Sequence, residues 1–194
     1  MASPVKINFK VYQGSTFNEV LRWESATKVY TDITNITQDA PMVVTAVGHN
    51  MPAGWRAKIT NVLGMVDVNT LDYIVSTTTT NDTITFNSVN AVGFKPYISG
   101  GILEYNQPVS LDTYTARMQI REKVSSTTVI QTLTTENGMI TLDNTLKTIT
   151  LNIPADITQL YTFKSAVYSL EMVNGLIVTP FIYGNLTLDT EITR

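Results

Sequence analysis

The chain has 194 residues, of which 43 % are hydrophobic and only 15 % charged, with a formal net charge of −3 at pH 7. Charge is scarce against the roughly 25 % of an ordinary domain, yet apolar residues are too plentiful for a disordered chain. There is no basic stripe to attract nucleic acid, no apolar run near the ~20 residues of a membrane-spanning helix, and no cysteine for disulfides, thiolate metal sites or nucleophiles.

The length admits one large domain or two small ones. The opening Met1-Ala2-Ser3-Pro4-Val5-Lys6 lacks the apolar segment of a secretory signal, so export by that route is not expected. The absence of cysteine fits synthesis in a reducing cytoplasm.

Residues 5–12 alternate, with Val5, Ile7, Phe9 and Val11 set against Lys6, Asn8, Lys10 and Tyr12. Such a period of two predicts a strand, which places successive side chains on opposite faces. Gln13-Gly14-Ser15 is a turn. Residues 17–23 predict a second strand with Phe17, Glu19, Leu21 and Trp23 on one side. The acid spoils that face, and a bulge would turn Val20 inward instead.

Residues 25–35 are polar, and a domain boundary is expected at 36–39. Short strands are predicted over 42–47, 55–62, 71–76 and 83–88. A Gly- and Pro-punctuated turn (48–54) and a polar tip (77–82) separate them. Residues 94–103, with Pro96, Gly100 and Gly101, are expected to be an irregular closing segment. Strands this tightly spaced suggest a small barrel or sandwich of its own.

The clearest pattern is 114–121, where Tyr114, Ala116, Met118 and Ile120 alternate with Thr115, Arg117, Gln119 and Arg121. This predicts a half-buried strand with one wet face. Further strands are predicted over 127–134, 139–142, 148–153, 166–172 and 176–188. Asn137-Gly138 and Asn174-Gly175 both signal hairpins. Pro180 marks an edge or a bulge in the last strand, and 154–160 is the single plausible helical turn. Two N-terminal strands cannot stand alone. The expected fold is therefore all-β: an antiparallel sandwich of residues 1–36 and 108–194, interrupted by an inserted small β domain at 37–107.

Chemistry is hard to find. His49, the lone histidine, sits in a turn and is expected at the surface. It has no Gly-x-Ser-x-Gly elbow to serve. Asp67, Asp72 and Asp82 lack calcium-loop spacing, and Gly100, Gly101 and Gly138 do not build a phosphate loop. Glu19, Glu24 and Asp32 near Trp23 would suit a glycosidase cleft if a pair lay close enough, although exposed acids beside a core tryptophan explain them as well. Trp55, Tyr73, Tyr97 and Tyr105 would form a sugar-binding surface if exposed; core positions are the alternative. No catalytic residue, cofactor or metal ligand is expected.

Several stretches carry a resemblance. They are Gly14-Ser15-Thr16-Phe17, Thr31-Asp32-Ile33-Thr34, Leu111-Asp112-Thr113-Tyr114-Thr115-Ala116-Arg117, Glu136-Asn137-Gly138 and Leu151-Asn152-Ile153-Pro154. Together they resemble the Ig-like β-sandwich of tailed-phage structural proteins, baseplate upper proteins among them. In that family the Asp-Leu-Thr and Tyr-Thr-Ala-Arg halves run without a break. Here they are split between 32–34 and 111–117, which supports an insertion. Within the insert, 44–55 and 97–101 are similar to a small β-barrel module of phage tail proteins, named for a half-domain of ubiquitin-activating enzymes; it transfers no catalytic residue.

The resemblance implies a virion component of the tail, baseplate or head–tail connector. Its expected partners are other virion structural proteins and copies of itself in an oligomer or ring, with neither nucleic acid nor membrane. Strand edges, expected at the N-terminal strand and at 176–188, would offer the contacts. The alternative is a carbohydrate-binding or capsid-decorating module.

Overall fold

The computed structural model describes residues 3–192 and is all-β. The chain opens with β1 (Val5–Lys6), β2 (Phe9–Tyr12) and β3 (Phe17–Arg22). There follow β4 (Glu24–Asp32), β5 (Asn35–Ile36), β6 (Met42–Thr45), β7 (Arg56–Leu63), β8 (Ile74–Val75), β9 (Thr78–Thr79), β10 (Thr83–Phe86) and β11 (Ser99–Pro108). It closes with β12 (Thr115–Arg121), β13 (Gln131–Thr134), β14 (Ile140–Asp143), β15 (Thr148–Ile153), the one-turn helix α1 (Ala155–Thr158), β16 (Ser165–Asn174) and β17 (Ile177–Asp189).

Two compact units result: Met1–Arg22 with Ser110–Arg194, and Trp23–Val109. The boundary expected at 36/37 is corrected to 22/23. Strand β4 pairs antiparallel with β11 from Ile102 opposite Asp32 to Pro108 opposite Glu24, which ties residues 24–32 into the middle unit. Those residues read as a polar connection because they carry no regular apolar alternation; backbone pairing, Val29 against the core and the ion pairs of Glu24 and Lys28 hold them.

The first unit is a β-sandwich. One sheet has six strands in the order β1-β17-β16-β12-β13, with β2 also on β17; the other is β14-β15-β3. In β12 the buried residues are Ala116, Met118 and Ile120, as the alternation predicts. Phe9 lies edge-on to Phe17 at 5.5 Å and stacked on Tyr168 at 5.2 Å, linking the two sheets.

Pairing is not purely antiparallel: β1 and β2 both run parallel to β17, with Val5 opposite Ile182 and Phe9 opposite Leu186. That makes β17 interior from Ile182 onward and corrects its expected role as an edge there, while 177–181 pairs with β16 alone. Its Pro180 is accommodated by a register shift opposite Leu170 and Glu171. The turn at Asn137-Gly138 is not a hairpin either, since β13 and β14 belong to different sheets. The Asn137 side chain there accepts from Thr134 N–H (2.9 Å) and donates to Thr132 C=O (2.9 Å), so it occupies the free edge of β13. Strand β3 pairs with β15 in unbroken register, so no bulge turns Val20 inward; it is exposed.

The middle unit pairs β5-β6-β10-β9 and β4-β11-β7-β8 around its own core, which includes Trp55, Met42, Phe86, Ile59 and Leu103. Strand β11 takes up the second half of the segment expected to be irregular, while 94–98 is non-strand as expected. Gly100 and Gly101 open it at positive φ (71° and 104°), and a Cβ on Gly101 would stand 2.8 Å from Val62 Cγ2. Residues 71–73 are not strand; a short 3-10 helix at Val66–Thr70 precedes them.

The ends of the middle unit are fastened together. Val109 N–H donates to Trp23 C=O at 3.0 Å, and Asn106 Nδ2 donates to Glu24 at 2.7 Å. With its own core and closed ends, the isolated fragment Trp23–Val109 is expected to fold; a dispersed amide spectrum and a cooperative melt check this.

Gly184 is required for a different reason. A Cβ there would fall 1.7 Å from the Ile7 carbonyl oxygen, where the link between β1 and β2 runs beside β17. Gly184→Ala is expected to destabilise the sandwich by about 1–3 kcal/mol in urea unfolding, because backbone must shift.

Candidate functional site

His49 is 1 % exposed, which corrects its expected surface position. The turn folds inward because its polar groups find partners there. Met51 N–H donates to His49 Nδ1 at 2.9 Å, and the buried Tyr105 hydroxyl donates to the His49 carbonyl at 2.5 Å. Nδ1 is thus the acceptor and Nε2 carries the proton, without a hydrogen-bond partner among the described residues. Burial pushes the His49 pKa below its ordinary value; the nearby carbonyls of Thr83 and Thr80 and the Asp82 carboxylate oppose this only in part.

Within the middle unit the possible carboxylate pair does not assemble. Glu19 belongs to the sandwich, half-buried on β3; burial first and this carboxylate second raise the pKa of the Tyr168 hydroxyl. Glu24 and Asp32 stand at opposite ends of β4, eight residues and so about 26 Å apart, well past the ~10 Å that a two-carboxylate mechanism spans. Glu24 is also committed elsewhere: Arg56 donates to both its oxygens, at 2.9 and 2.8 Å. Partial burial raises its pKa, but the bonds from Arg56 and Asn106 outweigh that and hold it below the usual range.

Of the four aromatics of the insert, two take the core positions that were the alternative to a sugar-binding surface, and Tyr73 and Tyr97 are half-buried. Trp55 and Tyr105 are buried in the core. Trp55 Nε1 donates to Asn106 C=O at 2.9 Å, and the half-buried Tyr97 donates to the carbonyls of Ile33 (3.0 Å) and Gly100 (2.9 Å). Tyr73 donates to Glu104 at 2.7 Å. Lys28 completes that cluster: its Nζ lies 2.8 Å from Glu104, contacts the Tyr73 hydroxyl and sits 4.8 Å from the ring centre. Hydrogen bonds from Glu104 and Tyr73 raise the Lys28 pKa to about 12. This is a closed, charge-balanced clamp across the wet side of the sheet.

The remaining acids serve loops. Asp82 accepts from Gly48 N–H at 3.0 Å, and Asp72 from Tyr73 N–H at 2.9 Å. Asp67 lies in the 3-10 helix. Among the described residues no group of three or more His, Cys, Asp or Glu is placed to hold a metal ion. No described helix is long and apolar enough to cross a membrane.

Three open concavities lie on the sandwich. Across the outer face of its six-stranded sheet, clefts of about 470 and 290 Å³ meet at Gln119 and Ser169. Their lining was legible in the sequence only as the wet side of strands. A transverse row runs through them: Lys6 opposite Tyr183, Tyr183 opposite Ser169, Ser169 opposite Gln119, and Gln119 opposite Thr132. A separate cleft of about 490 Å³ is lined by Gln131, Leu160, Tyr161 and Phe163. The Tyr161 hydroxyl is buried without a hydrogen-bond partner among the described residues, and burial raises its pKa to about 12.

No family model matches the sequence, and no curated protein matches it.

The buried histidine sets an acid response. A folded-state pKa below the unfolded value near 6.5 means that the unfolded chain binds more protons between the two. His49 therefore supports stability in full above about pH 6.5, and that support falls as pH drops below it. Denaturant midpoints of the Trp23–Val109 unit are expected to decline from pH 7.5 to 5.5. His49→Asn, which keeps an acceptor for Met51 N–H but cannot titrate, is expected to flatten the decline.

Proposed function

We propose that this chain is a structural component of a tailed-phage virion, in the tail, baseplate or head–tail connector region, acting through protein–protein interfaces in a symmetric assembly. Two lines support the reading. The first is the resemblance of the framework stretches, 111–121 above all, to the sandwich of phage structural proteins. The second, which carries the reading, is the tip of the β16–β17 hairpin, with Leu176 fully exposed and Ile177 and Val178 at 68 % and 40 %. The tip is a two-residue turn, since Asn174 opposes Ile177, and Gly175 takes φ 57°. Turn chemistry explains Asn174 and Gly175 but not three consecutive apolar residues in water. Burial in a partner would yield about 1.5–3 kcal/mol for each fully covered side chain.

A second apolar patch lies on the middle unit. Leu63 and Ile98 are 59 % and 74 % exposed and joined by the Ile98 N–H to Leu63 C=O bond at 3.0 Å. Strand β3 also pairs on one side only, leaving an edge for strand addition. A specific virion contact needs roughly 1,000 Å² or more, which one hairpin tip does not supply, so several such surfaces must act together.

Light scattering on the purified chain, alone and mixed with the other structural proteins of its particle, tests the proposal. The expected result is an oligomer or a stable complex well above 21.5 kDa, weakened roughly 10- to 100-fold by Leu176→Asp. A monomer that binds none of those proteins overturns it.

A further inference from the structure

We propose that the groove across the outer face of the six-stranded sheet binds an acidic polysaccharide. The row Lys6, Tyr183, Ser169, Gln119 and Thr132 crosses five neighbouring strands, β1, β17, β16, β12 and β13, in direct register. At the usual spacing between strands the row is about 19 Å long, which suits a linear polymer lying across the strands. Its floor is fixed: Tyr168 hydroxyl donates to Ile7 C=O at 2.9 Å, and Gly184 lets that backbone approach closely.

The lining has the chemistry of sugar recognition. Tyr183 is 45 % exposed and presents an aromatic ring beside Gln119, Ser169 and Asn185, which can donate to and accept from hydroxyls. Charge divides the groove. At one end Arg117 is paired with Glu171 at 2.8 Å. At the other, Arg121 is held by neutral acceptors, the carbonyls of Ser126 (2.7 Å) and Thr127 (2.9 Å) and Gln119 Oε1 (2.8 Å). Lys6 has no ion-pair partner among the described residues. Both uncompensated cations line the larger cleft but stand on β1 and β12, three strands and so roughly 14 Å apart, which calls for a polymer with many hydroxyls and spaced carboxylates.

Competing polymers fit less well. An extended peptide docks by adding to a strand edge, and this row crosses the middle of a sheet whose backbone groups are already paired. Single-stranded nucleic acid needs a series of stacking aromatics and a continuous cationic track, whereas the row offers one ring and two separated cations.

The inference is independent of the virion reading, because it uses one face of one unit and no assembly. Titration and light scattering fail separately. The test is calorimetric titration of the full chain with polygalacturonate at low salt, beside dextran (neutral) and poly-glutamate (acidic without hydroxyls). Polygalacturonate is expected to bind, with dextran and poly-glutamate at least tenfold weaker. Tyr183→Ala is expected to weaken binding about tenfold or more, and Lys6→Gln several-fold with a shallower salt dependence. Both residues are exposed, and unchanged urea midpoints of the variants confirm that the fold is intact. Lack of polygalacturonate binding, equal binding of dextran or of poly-glutamate, or binding that Tyr183→Ala leaves unchanged overturns the proposal.

Discussion

The structure depends on the closure of the Trp23–Val109 unit at its own two ends. The pairing of β4 with β11 brings the start and finish of that segment side by side. The bond from Val109 to Trp23, and the contacts of Glu24 with Arg56 and Asn106, fasten them. Loop-closure entropy grows only slowly with length, so a long insertion is tolerated when its ends meet. The sandwich is prepared for the same geometry. Arg22, where the chain leaves, opposes Thr148, and Leu111, just after it returns, donates to Asn144 at 2.8 Å. Both points lie beside the β14–β15 turn. Each unit then keeps its own core.

Within each unit the two sides of a sheet do different work. Inner sides hold the apolar alternation and aromatics such as Phe9, Phe17, Trp55, Phe86, Tyr105 and Tyr168. Trp55, Tyr97, Tyr105 and Tyr168 each spend a polar atom on a backbone carbonyl, which is how an aromatic with a polar handle becomes a core residue. Outer sides differ between the units. On the middle unit Lys28, Glu104 and Tyr73, together with Arg56 and Glu24, satisfy one another. On the sandwich Lys6 and Arg121 have no ion-pair partner among the described residues.

Much of the fold was legible. The period of two in 114–121 gives the burial of Ala116, Met118 and Ile120 directly, since a strand has no other way to segregate its faces. Pro154 and the residues after it give α1. Other features were not legible, for identifiable reasons. Residues 24–32 carry no apolar face, and their place is set by backbone bonds to β11. The glycines that made 94–103 look irregular serve close packing at the start of a long strand. Asn137-Gly138 is compatible with any tight turn, and sequence alone does not say whether the next strand stays in the same sheet. His49 looked exposed because it is polar and follows a glycine, yet Met51 N–H and the Tyr105 hydroxyl make the interior hospitable to that turn.

The sequence by itself determined the all-β class and the inward faces of the main strands. Both follow from local periodicity and composition, which need no knowledge of neighbours. Only the tertiary structure decided the boundary at Trp23, the interior place of β17, the burial of His49 and the row from Lys6 to Thr132. Each of these depends on register between segments far apart in the chain, and register is fixed by which strands meet, a choice that no single stretch encodes.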